Sequence, residues 1–185
     1  MTMFLALLLS AVTTEAPQVV NAGFETINER TETPVGWSFT SLPNQAHLVS
    51  YKTAVVPSGT KTRALSISVV PNHPDQRVAY NAHQDVQGVV AGKKYRVAAR
   101  VQARGLQTLP MVVVQCLDES GNKMLAFART EERKIDNDVE KWENVQTEVT
   151  VPEGTSTFRL RIGIPAEGNA GGTALIDDIR IVEIK

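Results

Sequence analysis

Along most of this 185-residue chain hydrophobic and polar residues alternate with a period of two, the mark of a half-buried strand, rather than with the 3.6 of an amphipathic helix. Between Tyr95 and Arg104 the residues Tyr95, Val97, Ala99, Val101 and Ala103 fall on one side, and Arg96, Arg100, Gln102 and Arg104 on the other. One face belongs to a core and the other to water. Phe158 to Ile164 repeats the pattern with Arg159 and Arg161 outside, and Leu65 to Val69 repeats it with hydroxyls outside. The same reading predicts strands at Val19 to Glu25, Trp37 to Thr40, His47 to Lys52, Arg77 to Val86, Leu109 to Leu117, Met124 to Arg129, Trp142 to Val151 and Thr173 to Ile184. Between them lie turn sequences such as Pro57-Ser58-Gly59, Ala91-Gly92-Lys93, Asp118 to Asn122, Pro152-Glu153-Gly154 and Glu167 to Gly172. Glu131 to Lys141 is charged enough for a solvated loop or a single helical turn. About ten short strands with few helical windows predict an all-β fold, an antiparallel β-sandwich of the jelly-roll kind.

Charge and cysteine content narrow the setting. Nineteen Lys and Arg against twenty Asp and Glu give a net charge of -1, which supplies no electrostatic reason to expect nucleic acid or an anionic membrane as partner. The apolar run Met3 to Val12 is too short to span a bilayer but has the length of a signal-peptide core, with a small-residue cleavage point after Thr14-Glu15-Ala16. A signal peptide over residues 1–16 and a single mature domain over 17–185 are therefore expected. Such a protein would be secreted, periplasmic or held at the cell surface, with no membrane contact after leader removal. A buried first strand or a retained anchor are the alternatives, since no Lys or Arg precedes the run. Cys116, the one cysteine, cannot close an internal disulfide and sits in the apolar run Met111 to Leu117, where it reads as a buried thiol.

Several short motifs then fall in a recognisable order. Asn21-Ala22-Gly23-Phe24-Glu25 is followed by Pro34-Val35-Gly36-Trp37, by Gly59 ahead of Ala64-Leu65-Ser66-Ile67, and by Gln84-Asp85-Val86 ahead of Ala91-Gly92-Lys93-Lys94-Tyr95. Trp142, Val149 to Thr155 and Ala174-Leu175-Ile176-Asp177-Asp178-Ile179 close the series. In that order and spacing the chain resembles carbohydrate-binding modules of families 4, 9 and 22. The resemblance implies a galactose-binding-domain-like β-sandwich, non-catalytic and exported, that takes a polysaccharide or glycan on a concave sheet face. It also implies a structural Ca2+ where the first and last strands meet, with Glu25 and Asp177 as side-chain ligands and carbonyls near Gly23 and Gly59 beside them. A mixed set of carboxylates and carbonyls suits that ion. The alternative is that Glu25 and Asp178 are solvated or paired with Lys or Arg.

Sugar binding asks for flat aromatic faces and planar polar groups. Aromatics are scarce: Trp37 and Trp142 match positions that pack structurally, Phe24, Tyr95 and Phe158 fall on core faces, and the facing of Tyr51, Tyr80, Phe39 and Phe127 is open. Planar polar groups are more plentiful. Arg96, Arg100, Gln102, Arg159 and Arg161, with Tyr80, form the candidate ligand set provided that their strands share one sheet; otherwise they are a solubilising charged row. No His-x-His or His-Glu-x-x-His spacing, nucleophile elbow or phosphate loop is present, and no enzyme is expected. A lyase-like Tyr80, His83 and Arg100 set is disfavoured, because Tyr80 and His83 point to opposite faces of one predicted strand. The other reading of the domain is a structural or protein-interaction sandwich that binds no sugar.

Overall fold

The computed structural model describes residues 16–40, 42–58, 61–74, 78–135 and 141–185, and over these the alternating segments become antiparallel strands. They are β1 (Ile27–Asn28), β2 (Thr33–Pro34), β3 (Ser38–Phe39), β4 (Val49–Ser58), β5 (Lys61–Val69), β6 (Ala79–Val86), β7 (Lys94–Arg104), β8 (Met111–Leu117), β9 (Met124–Arg129), β10 (Glu143–Thr150), β11 (Thr157–Pro165) and β12 (Thr173–Ile184). Sheet I has the order β10-β7-β12-β5-β4, sheet II the order β3-β6-β11-β8-β9, and β1 and β2 form a separate hairpin. Neighbours in space are mostly not neighbours in sequence, as in a jelly roll.

The core lies between the sheets. From sheet I come Tyr95, Val97 and Val101 of β7, Leu65 and Ile67 of β5, and Ile176 of β12; from sheet II come Phe158, Leu160 and Ile162 of β11, Tyr80 of β6 and Val114 of β8. Tyr95 and Phe158 meet edge to face at 6.2 Å between ring centres, joining the two layers. Cys116 is fully buried, and that burial pushes its thiol pKa up.

Several expected strand boundaries differ, two of the segments substantially. Val19 to Glu25 is a turn, not a strand: Asn21 and Phe24 adopt left-handed φ of 51° and 56°, and the Phe24 N–H donates to the Asn21 carbonyl at 3.0 Å. Side-chain bonds win here over apolar alternation. Asn21 accepts from the Thr26 N–H and donates to the Thr26 and Val35 carbonyls, knitting the β1–β2 hairpin. Phe24 in turn buries its ring against Trp37, 5.3 Å away, which offsets the local backbone strain. His47 belongs to a short 3-10 turn, Ala46–Leu48, and the following strand runs on to Ser58, beyond the expected end at Lys52. The charged stretch 131–135 carries an isolated bridge from Lys134 to Thr108, while 136–140 lie outside the described residues. So do residues 1–15 of the expected leader.

The two terminal motifs meet as the sequence suggests. The Ile179 N–H donates to the Ala22 carbonyl at 3.0 Å, and β12 carries a bulge between Asp177 and Arg180 with Asp178 left-handed at φ 53°. The sandwich therefore closes through a loop at its beginning and a bulged strand at its end.

Candidate functional site

The outer face of sheet II carries a polar surface that strand register builds row by row. Tyr80, Ala82, Gln84 and Val86 of β6 point into the core, which leaves Asn81, His83 and Asp85 outside. On β11 the same alternation leaves Arg159 and Arg161 outside, and on β8 Met111, Val113 and Gln115. Pairing lines these up into a row Ser38, His83, Arg161, Val113 and Arg129 across five strands. A second row holds Asp85, Arg159, Gln115 and Phe127. A third runs from Asn81 through Gly163 to Met111.

Within this surface the polar groups hold one another. Arg159 donates to both oxygens of Asp85, at 2.7 and 2.9 Å, and this guanidinium keeps the Asp85 carboxyl below its ordinary range. Arg161 instead donates to two neutral amides, the Gln115 Oε1 at 2.7 Å and the Asn81 Oδ1 at 3.1 Å. Burial, and then the nearby Arg161 and Arg159, push the His83 pKa down, and its Nδ1 is buried without a hydrogen-bond partner. The ring is neutral at neutral pH. At the sheet centre Gly163 leaves a floor without a side chain, and a hollow of about 230 Å³ opens there between Asn81, Met111, Val113, Phe127 and Arg161. Phe127 is 51% exposed on its rim. A second hollow, of about 410 Å³, lies across β6 between Ser38, His83, Asp85 and Arg159. Planar donors and acceptors beside one aromatic ring can hold hydroxyls and a C–H surface together.

The residues singled out from the sequence are split by the topology. Arg159 and Arg161 lie on this face. Arg96, Arg100 and Gln102 belong to β7 of sheet I and face away from the opposite side of the molecule, so the two groups do not form one surface. There Arg96 is paired with Glu148 at 2.7 Å, and the Arg100 guanidinium lies 5.1 Å over the Trp142 ring. Gln102 is itself buried on that side. Trp142 packs with Val56, Ala64 and Leu175 on the outside of sheet I, while Trp37 is in the main core. Tyr80 is fully buried, pointing inward, with its hydroxyl 2.8 Å from the His73 Nε2, and it offers nothing to a ligand on the surface. Tyr80, His83 and Arg100 therefore occupy three separate places. Among the aromatics of open facing, Phe39 and Tyr51 stack on each other 4.9 Å apart against the core, and Phe127 alone points out.

Asn81, Gln115, Met111, Val113 and Arg129 join the site although the sequence did not single them out as ligands, and Phe127, a candidate of open facing, joins it with its ring exposed. Their outward phase was readable in the alternation of β6, β8 and β9. Which strands lie side by side was not.

At the expected cation site, Asp177 is 3% exposed and its Oδ1 accepts the Asp178 N–H at 2.6 Å, while Asp178 pairs with Arg180. The β12–β5 ladder is in register up to Ile176 and Leu65; one step on are Asp177 and Ala64, and next to Ala64 is Arg63, whose N–H donates to Glu25 Oε1 at 3.3 Å. Glu25 and Asp177 thus come from opposite ends of the chain to neighbouring backbone, with Gly23 in the same turn. Gly59 lies outside the described residues. Among the described residues no three His, Cys, Asp or Glu side chains converge, so a cation here would draw its other ligands from carbonyl oxygens.

No family model and no curated protein matches the sequence. Solved structures do match in fold. The chain is similar to the CBM22-1 xylan-binding domain of Paenibacillus barcinonensis Xyn10C, with 14% identity, a TM-score of 0.61, and coverage of 89% of this chain and 92% of that one. It is similar also to the apo form of a cyclase from Fischerella sp., at 12% identity, a TM-score of 0.65 and coverage of 92% and 96%. A third likeness is to the enzymatically active domain of bacteriophage CBA120 tailspike protein 4, at 18% identity, a TM-score of 0.62 and 90% coverage of this chain, which spans only 21% of the tailspike chain. The class that the fold defines is a β-sandwich like that of carbohydrate-binding modules. At these identities the likeness is one of architecture, and one architecture hosts unrelated functions.

Proposed function

We propose that this protein is a non-catalytic, exported carbohydrate-binding module that holds a polysaccharide or glycan on the outer face of sheet II. The observation that carries the reading is the hollow over Gly163, where the Arg161 guanidinium and the Asn81 and Gln115 amides are fixed beside the exposed ring of Phe127. These groups are pre-organised by their mutual hydrogen bonds, which lowers the ordering cost of binding. Retention of the mature chain on native gels containing soluble polysaccharides tests it. Phe127→Ala should weaken retention about tenfold, as expected for removing a stacking ring. Substituting Arg96 on the far side should leave it unchanged. Equal retention of wild type and Phe127→Ala on every gel would remove this face from consideration.

The exposed pair Phe127 and Met124, 51% and 50% accessible on the same strand, favours as a second reading a protein-interaction sandwich without sugar binding. Failure of every glycan together with capture of a protein partner dependent on Phe127 would select it. As part of the first reading, Glu25 and Asp177 hold a structural Ca2+, supported by the approach of these two carboxylates, from distant parts of the sequence, to neighbouring backbone of β5 and β12.

A further inference from the structure

The charge balance of the sheet II face bears on which glycan it takes. Its one carboxylate, Asp85, is consumed by the two-pronged pair with Arg159. Arg161 is half-buried, yet its two bonds go to neutral amide oxygens, and among the described residues no carboxylate lies within ion-pair distance of it. A guanidinium carries five N–H donors and stays protonated, so its charge and part of its donor set are left over. Arg129 follows in the same row, separated from Arg161 by Val113, and makes no ion pair among the described residues. Two strand spacings put these two cationic positions roughly 10 Å apart at the backbone. Glu132 and Glu167 line one neighbouring hollow with Arg129, and Glu131 and Glu148 another, without an ion pair to it. Between the two arginines lie the apolar walls of the central hollow: Met111, Val113 and the exposed Phe127.

A half-buried cation whose hydrogen bonds go only to neutral oxygens, with Asp85 acting on it from beyond ion-pair distance, gains from an anion that completes it. A neutral sugar would supply no such anion. We infer that the ligand is an acidic glycan, a uronate-bearing polysaccharide whose carboxylate pairs with Arg161 and Arg129 while the C–H face of the same ring rests on Phe127 and Val113. The inference rests on the carbohydrate-binding reading of this face and specifies its substrate class. Methyl esterification of the carboxylates, which keeps ring and linkage but removes the charge, should therefore abolish recognition.

The experiment is affinity electrophoresis and calorimetric titration of the mature protein with polygalacturonate, with its fully methyl-esterified form, and with neutral xylan. Polygalacturonate should bind at least tenfold more tightly than the other two, and its affinity should fall several-fold when NaCl is raised from about 0.05 M to 0.5 M, because exposed charges are screened. Arg161→Gln and, as the safer exposed substitution, Arg129→Gln should each weaken polygalacturonate binding about tenfold, with Arg161→Lys retaining part of it. An unchanged melting temperature in Arg129→Gln separates lost binding from lost folding. Equal binding of xylan and polygalacturonate, insensitive to salt and to Arg129→Gln, would overturn the inference and leave the carbohydrate reading standing. Binding of none of the three polymers, at low salt and with intact folding, would overturn both.

Discussion

Two residues of the sheet II face, Asp85 and His83, both have their pKa lowered, and the stability each contributes falls on acidification, for reasons that lie in their surroundings. Asp85 has its pKa lowered chiefly by the hydrogen bond from Arg159. A depressed carboxylate stabilises the fold above the ordinary carboxylate range, and that contribution disappears as pH falls through the folded value. The pair is partly exposed, so the effect on stability is small, below about 1 kcal/mol. An NMR titration should find the Asp85 carboxyl below its ordinary range in the wild type and near it in Arg159→Gln. His83 has its pKa lowered by burial first and by Arg161 and Arg159 second. Below 6.5, the ordinary histidine value, the unfolded chain takes up a proton that the folded chain still refuses, so stability falls with pH from there down to the folded pKa. His83→Gln should flatten this part of the stability profile in urea denaturation, and an unchanged slope would show that His83 is ordinary in the fold. At this scale the sequence was informative about which residues are polar and on which side of a strand they point. It was silent about Gln115 and Asn81 as the partners of Arg161, 46 and 80 residues away, because a hydrogen bond between distant segments leaves no local periodicity.

Among the elements, β11 sets the shape of the site. It is the central strand of sheet II, paired with β6 on one side and β8 on the other, and its Gly163 stands opposite Asn81 of β6. A Cβ there would overlap the Tyr80 carbonyl oxygen and come within 2.6 Å of the Asn81 Cα, backbone that cannot swing aside like a side chain. Gly163→Ala should therefore push β6 away from β11, destabilise the protein by about 1–3 kcal/mol, and weaken glycan binding beyond what the lost stability explains. Denaturant midpoints and gel retention measured on the same preparation check both parts. The strands themselves were legible where alternation was strong, as in β7 and β11. Val19 to Glu25 misled because its apolar residues serve a turn: Phe24 is buried from a left-handed backbone, a packing no two-residue period encodes.

For the whole molecule, closure of the sandwich depends on its ends. The Ile179 to Ala22 hydrogen bond and the approach of Glu25 to β5 beside Asp177 tie the first described turn to the last strand. Under the proposed Ca2+ reading, excess calcium at about 100 times its Kd would add about 2.7 kcal/mol. For a domain of this size that raises Tm by about 5–10 °C. Scanning calorimetry in Ca2+ and in EDTA should show that rise in the wild type and not in Glu25→Ala. No difference between the two buffers in the wild type would dispose of the ion.

Strong alternation and turn sequences were sufficient for an all-β sandwich and for the burial of Tyr95, Phe158 and Cys116, because those properties depend on the side a residue points to and on where the chain reverses; the order of the terminal motifs, through the resemblance it carries, pointed to the meeting of the two ends. Only the tertiary structure separated Arg96, Arg100 and Gln102 from Arg159 and Arg161, sent Tyr80 inward to His73, and drew Asn81, Gln115 and Phe127 around the hollow over Gly163. Strand order decides which outward faces coincide, and in a jelly roll that order is fixed by the packing of two sheets over one core, a property of all the strands together and of none of them singly.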